Sequence, residues 1–306
     1  MNRRDFLETN VLALAGGAFA TSGAVEAAED SARGEDTKSM SQDPSPPAPL
    51  PASGARGERF GMGNTPGTLS VGVQMQLMRP GQLEAAGRKF PVVYVPFGLI
   101  EWHGRHLPLG NDALKAHGIL VKSAEKHGGV VYPPVYFHAG FQQEHLVPVL
   151  TDLFMRLKRT GFRVILGVSG HNVKQQIEMI DKALAPVTAD GTVAGLGLWE
   201  VTLSRGPESA TDHAAKWETS NMMFFYPELV DMSELGDGPI NLDMKPPSGI
   251  GGQDPRKYAS AKVGQRNVEL ASEAIGRKAQ ELLASLPENL RSFNLKAVTP
   301  GQWWMV

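Results

Sequence analysis

The chain has 306 residues, of which 42% are hydrophobic and 20% are charged, and its formal net charge is -2. This length and composition are typical of a folded protein with one large or two small α/β domains. The near-neutral charge gives no indication of nucleic acid or an anionic membrane surface as a partner. Because the chain contains no cysteine, disulfides, thiolate catalysis and cysteine-ligated zinc are excluded, and any metal must be held by His, Asp and Glu.

The first 27 residues resemble a twin-arginine export signal. Their start, MNRRDFLETN, contains paired arginines before Phe and Leu, and a mainly apolar stretch follows at 11–20. Such a stretch spans only about 15 Å as a helix, too little to cross a hydrocarbon core of about 30 Å. We therefore predict a signal peptide cleaved near Ala27, with Ala20 as the alternative, and export to the periplasm or the extracellular space without a stable membrane span. An ordinary basic N-terminus is the competing interpretation.

Residues 28–58 are dominated by Pro, Ser, Gly and charged side chains. Such a segment can bury very little apolar surface, which predicts a flexible, disordered linker. The folded domain is then expected at 59–306, which is within the usual size range of one α/β unit.

Within this domain, apolar strand-like runs alternate with amphipathic helical patterns. The predicted strands lie at 90–96, 130–137 (interrupted by Pro133 and Pro134), 163–169 and 191–203, and the predicted helices lie at 112–129, 149–162, 172–187, 217–232 and 263–286. This alternation predicts a mainly parallel sheet with helices on both faces. Binding sites in such sheets lie at the carboxyl ends of the strands.

A group of acidic residues and histidines follows these strand ends. Glu101 and His103 come after the first strand, with a spacing that directs the side chains of an extended segment to the same side. Asp112 lies where the next helix begins, and His171 follows the strand at 163–169. Because parallel strands end at the same edge of a sheet, we expect these side chains to meet in one crevice.

Two further candidates, His213 and Glu218, lie near the start of the helix after the fourth strand. The six residues could form a dinuclear hydrolytic site, in which two ions about 3.5–4 Å apart share a hydroxide and polarise a carbonyl. Nitrogen and oxygen ligands suit zinc, manganese or iron(II). Three of the six have an ordinary alternative: Asp112 could cap its helix, His103 could be a loop histidine, and Glu218 could lie on a solvated helix face or in a capping box.

The segment VYVPFGLIEWHGRHLPLGND resembles the signature of the creatininase family of metal hydrolases. The residues that match in order and spacing are Pro96, Gly98, Glu101, His103, Gly104, His106, Leu107, Pro108 and Asp112. The later stretches TGFRVILGVSGHN, DHAAKWETSNMMFFYPELVDM and GIGGQDPRKYASAKVGQ are similar to further elements of that family. The resemblance therefore covers nearly all of residues 59–286.

The resemblance implies a three-layer α/β/α sandwich with a mainly parallel sheet. It also implies two divalent metal ions, zinc first with manganese or iron as alternatives, and a homo-oligomer that is a hexamer by family analogy. Carried over by position, Glu101 and His171 would hold one ion and His103 the other, and Asp112 would bridge the two.

The remaining roles also come from the resemblance. Creatininase has a Glu two residues after the strand-end His, but Val173 stands there in this chain, so we take Glu218 as the remaining ligand. His213 is the candidate catalytic group, a general acid or electrostatic group facing the scissile C–N bond. His106 is expected to support the loop by donating to a carboxylate ligand.

Parts of the pattern that face the substrate differ from the family. The family's Asn-Gly-His-Gly-Gly-Asn becomes SGHNVK at 169–174, Arg105 replaces a common Pro, and the Phe-Pro-Gly-Thr segment is not recognisable. We therefore expect a metal site but not creatinine as the substrate. The expected function is an exported amidohydrolase whose metal-bridged hydroxide attacks an amide bond, cyclic amides included, of a small molecule. The alternatives are a non-catalytic metal-binding relative with a binding or assembly role and a metallopeptidase acting on a modified peptide.

Overall fold

The computed structural model describes residues 67–138, 140 and 142–293. The predicted signal peptide, the predicted linker and the predicted start of the domain at residue 59 lie outside these residues. All of the described residues belong to one compact unit. Among the helices that the structure describes, none combines the length and the apolar character that a membrane span requires.

The centre of the fold is a parallel sheet of five strands. The strands are β1 (Val92–Ile100), β2 (Val130–Val131), β3 (Val135–His138), β4 (Val164–Ser169) and β5 (Ala194–Trp199). Their order is β2–β1–β4–β5, and β3 pairs with β1 beyond β2. This arrangement confirms the predicted parallel sheet.

The interruption predicted at Pro133 and Pro134 divides one edge of the sheet into β2 and β3. Val93 pairs with Val130, whereas Phe97 pairs with Val135, so the register shifts by one residue between the two strands. Proline has no N–H to donate to the sheet, which explains why regular pairing stops there.

Helices cover both faces of the sheet. They are α1 (Pro80–Lys89), α2 (Asn111–His127), α3 (Gln143–Thr160), α4 (Lys174–Thr188), α5 (Lys216–Phe225), α6 (Pro255–Tyr258) and α7 (Ala261–Ser285), with short 3-10 turns between them. Helices α2, α5 and α7 share one hydrophobic cluster with the sheet, and α1, α3 and α4 share the other. The predicted three-layer α/β/α sandwich is therefore confirmed.

The alternation of side chains along β1 accounts for these two clusters. Val92 and Tyr94 face the layer of α2 and α7, and Val93, Val95 and Phe97 face the layer of α3 and α4. All five side chains are fully buried. A strand buried on both faces requires a continuous apolar run, and this is the pattern that identified it in the sequence.

Several predicted element boundaries differ from the structure, among them the end of β1, which lies at Ile100 and not at Pro96. Helix α3 begins at Gln143, six residues before the predicted start, because Leu146 and Val147 pack on the core. The helix predicted at 217–232 ends at Phe225 and gives way to a 3-10 turn from Pro227, because the proline disfavours the helical conformation at Tyr226, the residue before it. The last strand is confined to Ala194–Trp199.

Candidate functional site

The site lies where β1 and β4 end beside the start of α2. Two glycines allow this close approach: a Cβ on Gly98 would lie 2.2 Å from the Ala113 nitrogen, and one on Gly170 would lie 2.0 Å from the Asp112 carbonyl oxygen. Any side chain at either position would push the first turn of α2 away from the sheet. The two strand ends therefore hold Asp112 between them.

Asp112 contacts two different histidines with its two carboxylate oxygens. Oδ1 is 3.0 Å from Nε2 of His103, and Oδ2 is 3.3 Å from Nδ1 of His171. The N-cap of α2 is Gly110, and Asp112 lies in the first turn, where Oδ2 also accepts from the backbone N–H of Leu99 at 3.3 Å. The carboxylate is thus aimed at the histidines and does not cap its helix.

The ring of His103 is fixed by its surroundings. Nδ1 donates to the carbonyl oxygen of Glu101 at 3.2 Å, which leaves Nε2 facing three carboxylates. The distances from Nε2 are 3.0 Å to Asp112, 3.5 Å to Glu218 and 3.6 Å to Glu101. A histidine whose one nitrogen donates to a backbone carbonyl while the other faces carboxylates has the arrangement typical of metal-binding histidines.

His171 completes this group on the β4 side. Its Nδ1 is 2.9 Å from Oε1 of Glu101. Burial alone would lower the pKa of His171, but its hydrogen bonds to Asp112 and Glu101 and their charges raise the pKa to about 9. The pKa of Asp112 is held below its ordinary value for the reciprocal reason: burial would raise it, and the hydrogen bonds from His103 and His171 outweigh that effect.

Glu218 lies in the first turn of α5 and is almost completely buried. Its Oε2 lies 3.5 Å from His103 and accepts from the backbone N–H of Ala214 at 2.8 Å. Its Oε1 forms an ion pair with the buried Lys115, whose Nζ is also 3.1 Å from Oε1 of Glu200. Of the alternatives for Glu218, the solvated helix face is excluded, because the carboxylate points into the protein.

His213 stacks on His103, with ring centroids 4.5 Å apart and an interplanar angle of 27°. Its Nε2 donates to the carbonyl oxygen of Trp102 at 2.9 Å, so the ring has a defined orientation. Nδ1 is then directed toward Glu101, whose Oε1 is 3.9 Å away. His213 is therefore part of the same group of side chains as the other predicted residues.

His106 lies beside the group but has a different partner from the one predicted. Its Nε2 is 2.9 Å from the hydroxyl of Thr219, and the expected contact with a carboxylate ligand is wrong. Thr219 follows Glu218 in α5, so His106 supports that helix rather than a ligand directly. Burial, together with the charge of His103, lowers the pKa of His106 to about 4, which keeps the ring neutral at ordinary pH.

The side chains form three overlapping groups of potential metal ligands whose donor atoms lie within 4.8 Å of one another. The groups are Glu101–His103–His213, Glu101–Asp112–His171 and His103–Asp112–Glu218. The donor atoms are carboxylate oxygens and imidazole nitrogens, which suit divalent ions such as zinc and manganese. The structure thus brings together all six predicted ligand and catalytic residues.

Three polar residues of this region were missed in the sequence. Asp212 precedes α5, whose N-cap is Ala215, and its carboxylate accepts from the backbone N–H groups of Trp217 and Glu218 at 2.9 and 3.2 Å. Burial, followed by the charge of Glu218, raises the pKa of Asp212 to about 7. Lys115 lies three residues after Asp112 on one face of α2, and Glu200 directly follows β5. The rule that sites gather at strand ends would have identified Glu200.

Comparison with known proteins agrees with this geometry. The family model for creatininase, described as creatinine amidohydrolase, matches residues 76–284. Creatinine amidohydrolase of Pseudomonas putida is 27% identical over 180 residues, which are 48% of this chain and 69% of that protein. The mycofactocin precursor peptide peptidase of Mycolicibacterium smegmatis (strain ATCC 700084 / mc(2)155) is 29% identical over 161 residues, 47% of this chain and 62% of that protein. The chain thus spans less than two-thirds of this peptidase.

Solved structures show the same fold. A crystal structure of creatinine amidohydrolase (creatininase) superposes with a TM-score of 0.58 at 22% identity, covering 69% of this chain and 98% of that one. A mutant creatininase of the Zn-Zn type superposes with a TM-score of 0.56 at 22% identity, covering 68% of this chain and 97% of that one. A manganese creatininase superposes with a TM-score of 0.56 at 23% identity, covering 68% of this chain and 98% of that one. Since the family model matches more than half of the chain, the chain belongs to the creatininase family of metal-dependent hydrolases that act on amide C–N bonds.

Proposed function

We propose that this protein is a dinuclear metal-dependent amidohydrolase that cleaves an amide C–N bond of a small molecule other than creatinine. The observation that carries the proposal is the position of Asp112, whose two oxygens face His103 and His171 at 3.0 and 3.3 Å. A carboxylate placed between two histidines in this way is suited to bridge two ions.

In this proposal, Glu101, His171 and Asp112 form one metal position, and His103, Asp112 and Glu218 form the other. Each set is one of the groups whose donor atoms converge. The ions would be zinc, with manganese or iron as alternatives, and relatives described with zinc and with manganese support the first two. When bound, two such ions supply a polarised carbonyl and a water of lowered pKa.

His213 is the proposed general acid. The hydrogen bond from its Nε2 to the carbonyl oxygen of Trp102 leaves Nδ1 as the atom that faces the site. A proton held at Nδ1 would pass to the departing nitrogen of the amide, while the stacking on His103 holds the ring in place. Glu101 lies 3.9 Å from Nδ1, on the side of the ring that faces the site.

Two exposed apolar side chains lie close to proposed ligand residues in the chain. Val173 is 40% exposed and stands where creatininase has a glutamate ligand, and Trp102 is 48% exposed beside His103. These two apolar side chains favour an amide with an apolar portion over creatinine, which is small and polar. A modified peptide is a second candidate substrate, favoured by the likeness to the mycofactocin precursor peptide peptidases.

The localisation is proposed from the sequence of the N-terminal segment. Its paired arginines and short apolar stretch favour export by the twin-arginine route, after folding, to the periplasm or beyond. A homo-oligomer, by family analogy a hexamer, remains part of the proposal.

Hydrolysis assays on the metal-replete protein test the proposed activity. A panel of cyclic amides, linear amides and short peptides is assayed with and without a chelator, and with the variant His213→Asn. The proposal expects turnover of at least one amide, which the chelator abolishes and which returns when zinc or manganese is added. Metal binding without turnover of any amide would favour a non-catalytic relative, for which the altered loop at 169–174 is the supporting observation. Turnover that survives complete metal removal would contradict the proposal.

A further inference from the structure

Lys115 is a fully buried cation next to the proposed metal site. Its side chain is 0% exposed, and its two carboxylate partners, Glu200 and Glu218, are 1% and 2% exposed. The Nζ atom lies 3.1 Å from Glu200 and forms a close ion pair with Glu218. A buried ammonium that has two carboxylate partners stays charged, because neutralising it would leave both acids without a counter-charge.

Lys115 forms an ion pair with one of the proposed metal ligands, Glu218, which belongs to the position His103–Asp112–Glu218 and not to the other. Glu218 connects Lys115 directly to this metal position, since one carboxylate oxygen contacts Lys115 and the other lies 3.5 Å from His103. Asp112 and Lys115 are three residues apart in α2, so they share a helix face. The partners of Lys115 are Glu200 and Glu218, and neither of them belongs to the group Glu101–Asp112–His171.

The ion pair reduces the capacity of Glu218 to bind a metal ion. One of its oxygens is engaged by Lys115 and the other already accepts from the Ala214 N–H. A divalent ion placed between His103, Asp112 and Glu218 would share Glu218 with the ammonium and be repelled by it. The repulsion is weakly screened, because every group involved is buried.

Glu200 weakens the repulsion between Lys115 and a bound metal ion but does not abolish it. Its Oε1 pairs with the Lys115 ammonium and partly neutralises it, whereas its Oε2 is buried without a hydrogen-bond partner among the described residues. Glu200 is also approached by Thr211 and Asn172 at 3.4 and 3.5 Å. Lys115 is therefore shared between a carboxylate outside the metal site and one inside it.

We propose that Lys115 acts as a fixed internal cation that makes the two metal positions unequal. The position of Glu101, Asp112 and His171 binds a divalent ion tightly, and the position of His103, Asp112 and Glu218 binds the second ion weakly. This inference rests on the proposed dinuclear site and adds the order in which that site fills. The residue is a positioning residue, because it acts through Glu218.

Calorimetric titration of the metal-stripped mature chain with MnCl₂ tests the inference. The wild type is expected to show two binding events whose dissociation constants differ by about 100-fold, as a charge repulsion of ordinary size in a protein would give. His171→Ala is expected to remove the tight event and to leave the weak one. This variant identifies which position fills first.

A matched pair of variants then isolates Lys115. The double variant Lys115→Met/Glu200→Gln removes one positive and one negative charge together, so the buried cluster keeps its charge balance. In this variant the two dissociation constants should come within about 10-fold of each other, because the weak position gains affinity once the repulsion is gone. Glu200→Gln alone keeps the cation but removes one of its two carboxylate partners, so Lys115 pairs with Glu218 only. The affinity of the weak metal position should therefore decrease further. Circular dichroism and thermal unfolding show whether each variant is folded, and Glu200→Gln tests the inference even if the double variant is not.

Two results would overturn the inference. One is a wild-type titration with two events of equal affinity, and the other is a gap between the events that neither variant changes. Both leave the proposed dinuclear site intact. If the folded wild type binds no divalent ion, the proposed function fails, and this inference fails with it.

Discussion

Gly170 and Asp112 lie so close together that a Cβ on the glycine would be 2.0 Å from the carbonyl oxygen of the aspartate. The end of β4 is therefore packed directly against the start of α2. Because the Asp112 carboxylate extends from this backbone toward His103 and His171, the position of the bridge depends on a glycine that itself contacts no ligand atom.

Replacing Gly170 by Ala should displace Asp112 and reduce metal binding. The added methyl group cannot fit beside the backbone of α2, so the free energy of unfolding should fall by about 1–3 kcal/mol, as for other overpacked positions. Metal content measured on the folded variant should fall with it. Gly81→Ala in α1 is the matched control, since a Cβ there meets nothing within 4 Å, and it should be neutral or stabilising by about 0.5–1 kcal/mol. If Gly170→Ala binds metal like the wild type, Asp112 is not held in the way described.

Replacing His213 by Asn should reduce kcat while the metal content stays close to that of the wild type. His213 is proposed to transfer a proton, and general acid groups contribute about 10²–10⁴-fold to rates. Single-turnover rates and metal analysis on one preparation separate the two effects. His145→Gln, a substitution on the exposed side of α3, serves as the control and should leave both unchanged. Loss of most of the metal in His213→Asn would show that His213 is a ligand instead.

Replacing Lys115 by Met alone should strongly destabilise the fold. The substitution leaves Glu200 and Glu218 buried beside each other without a cation, and breaking a buried ion pair in this way costs about 3–5 kcal/mol. Chemical denaturation of the metal-free protein measures the loss. The double variant with Glu200→Gln should recover a large part of it, because one of the two unpaired charges is then absent. Equal stabilities for the single and the double variant would mean that the two residues do not interact.

Stability should decrease below pH 6.5 because of His117. This residue of α2 is buried, its Nε2 has no partner among the described residues, and burial lowers its pKa from 6.5 to about 4. Below pH 6.5 the unfolded chain therefore binds a proton that the folded chain does not, which favours unfolding as the pH falls toward 4. Between pH 7.5 and 5 this single residue should remove about 2 kcal/mol of stability. Urea denaturation at the two pH values, compared with His117→Phe, isolates the effect. The variant should lose less stability than the wild type on acidification, and an identical loss in both proteins would refute this assignment.

Much of the site could be predicted because most of its residues lie close together in the sequence. Glu101, His103 and Asp112 follow one strand within twelve residues, and the rule for parallel sheets places His171 at the same edge. The layers of the fold followed from the apolar runs of the strands and the period of the helices. These features depend on neighbours in the chain, which a sequence displays directly.

What could not be predicted depends on contacts between distant segments. His106 was expected to support a carboxylate, but its partner is Thr219, 113 residues away. From the sequence alone, Lys115 has the pattern of an exposed lysine on an amphipathic helix. The fold buries it against Glu218, which lies 103 residues away. Whether a charged residue is buried is decided by such partners, and the spacing around the residue itself gives no sign of them.

The number of divalent ions per chain shows whether Asp112 bridges two metal positions. Elemental analysis of the purified wild-type protein, after equilibrium dialysis against excess zinc and subtraction of the free zinc in the dialysate, is compared with Asp112→Ala and with the exposed control Asp152→Ala on α3. Close to two ions per chain are expected in the wild type and in Asp152→Ala, and fewer than one in folded Asp112→Ala. A folded Asp112→Ala that retains the metal content of the wild type would contradict this bridging role.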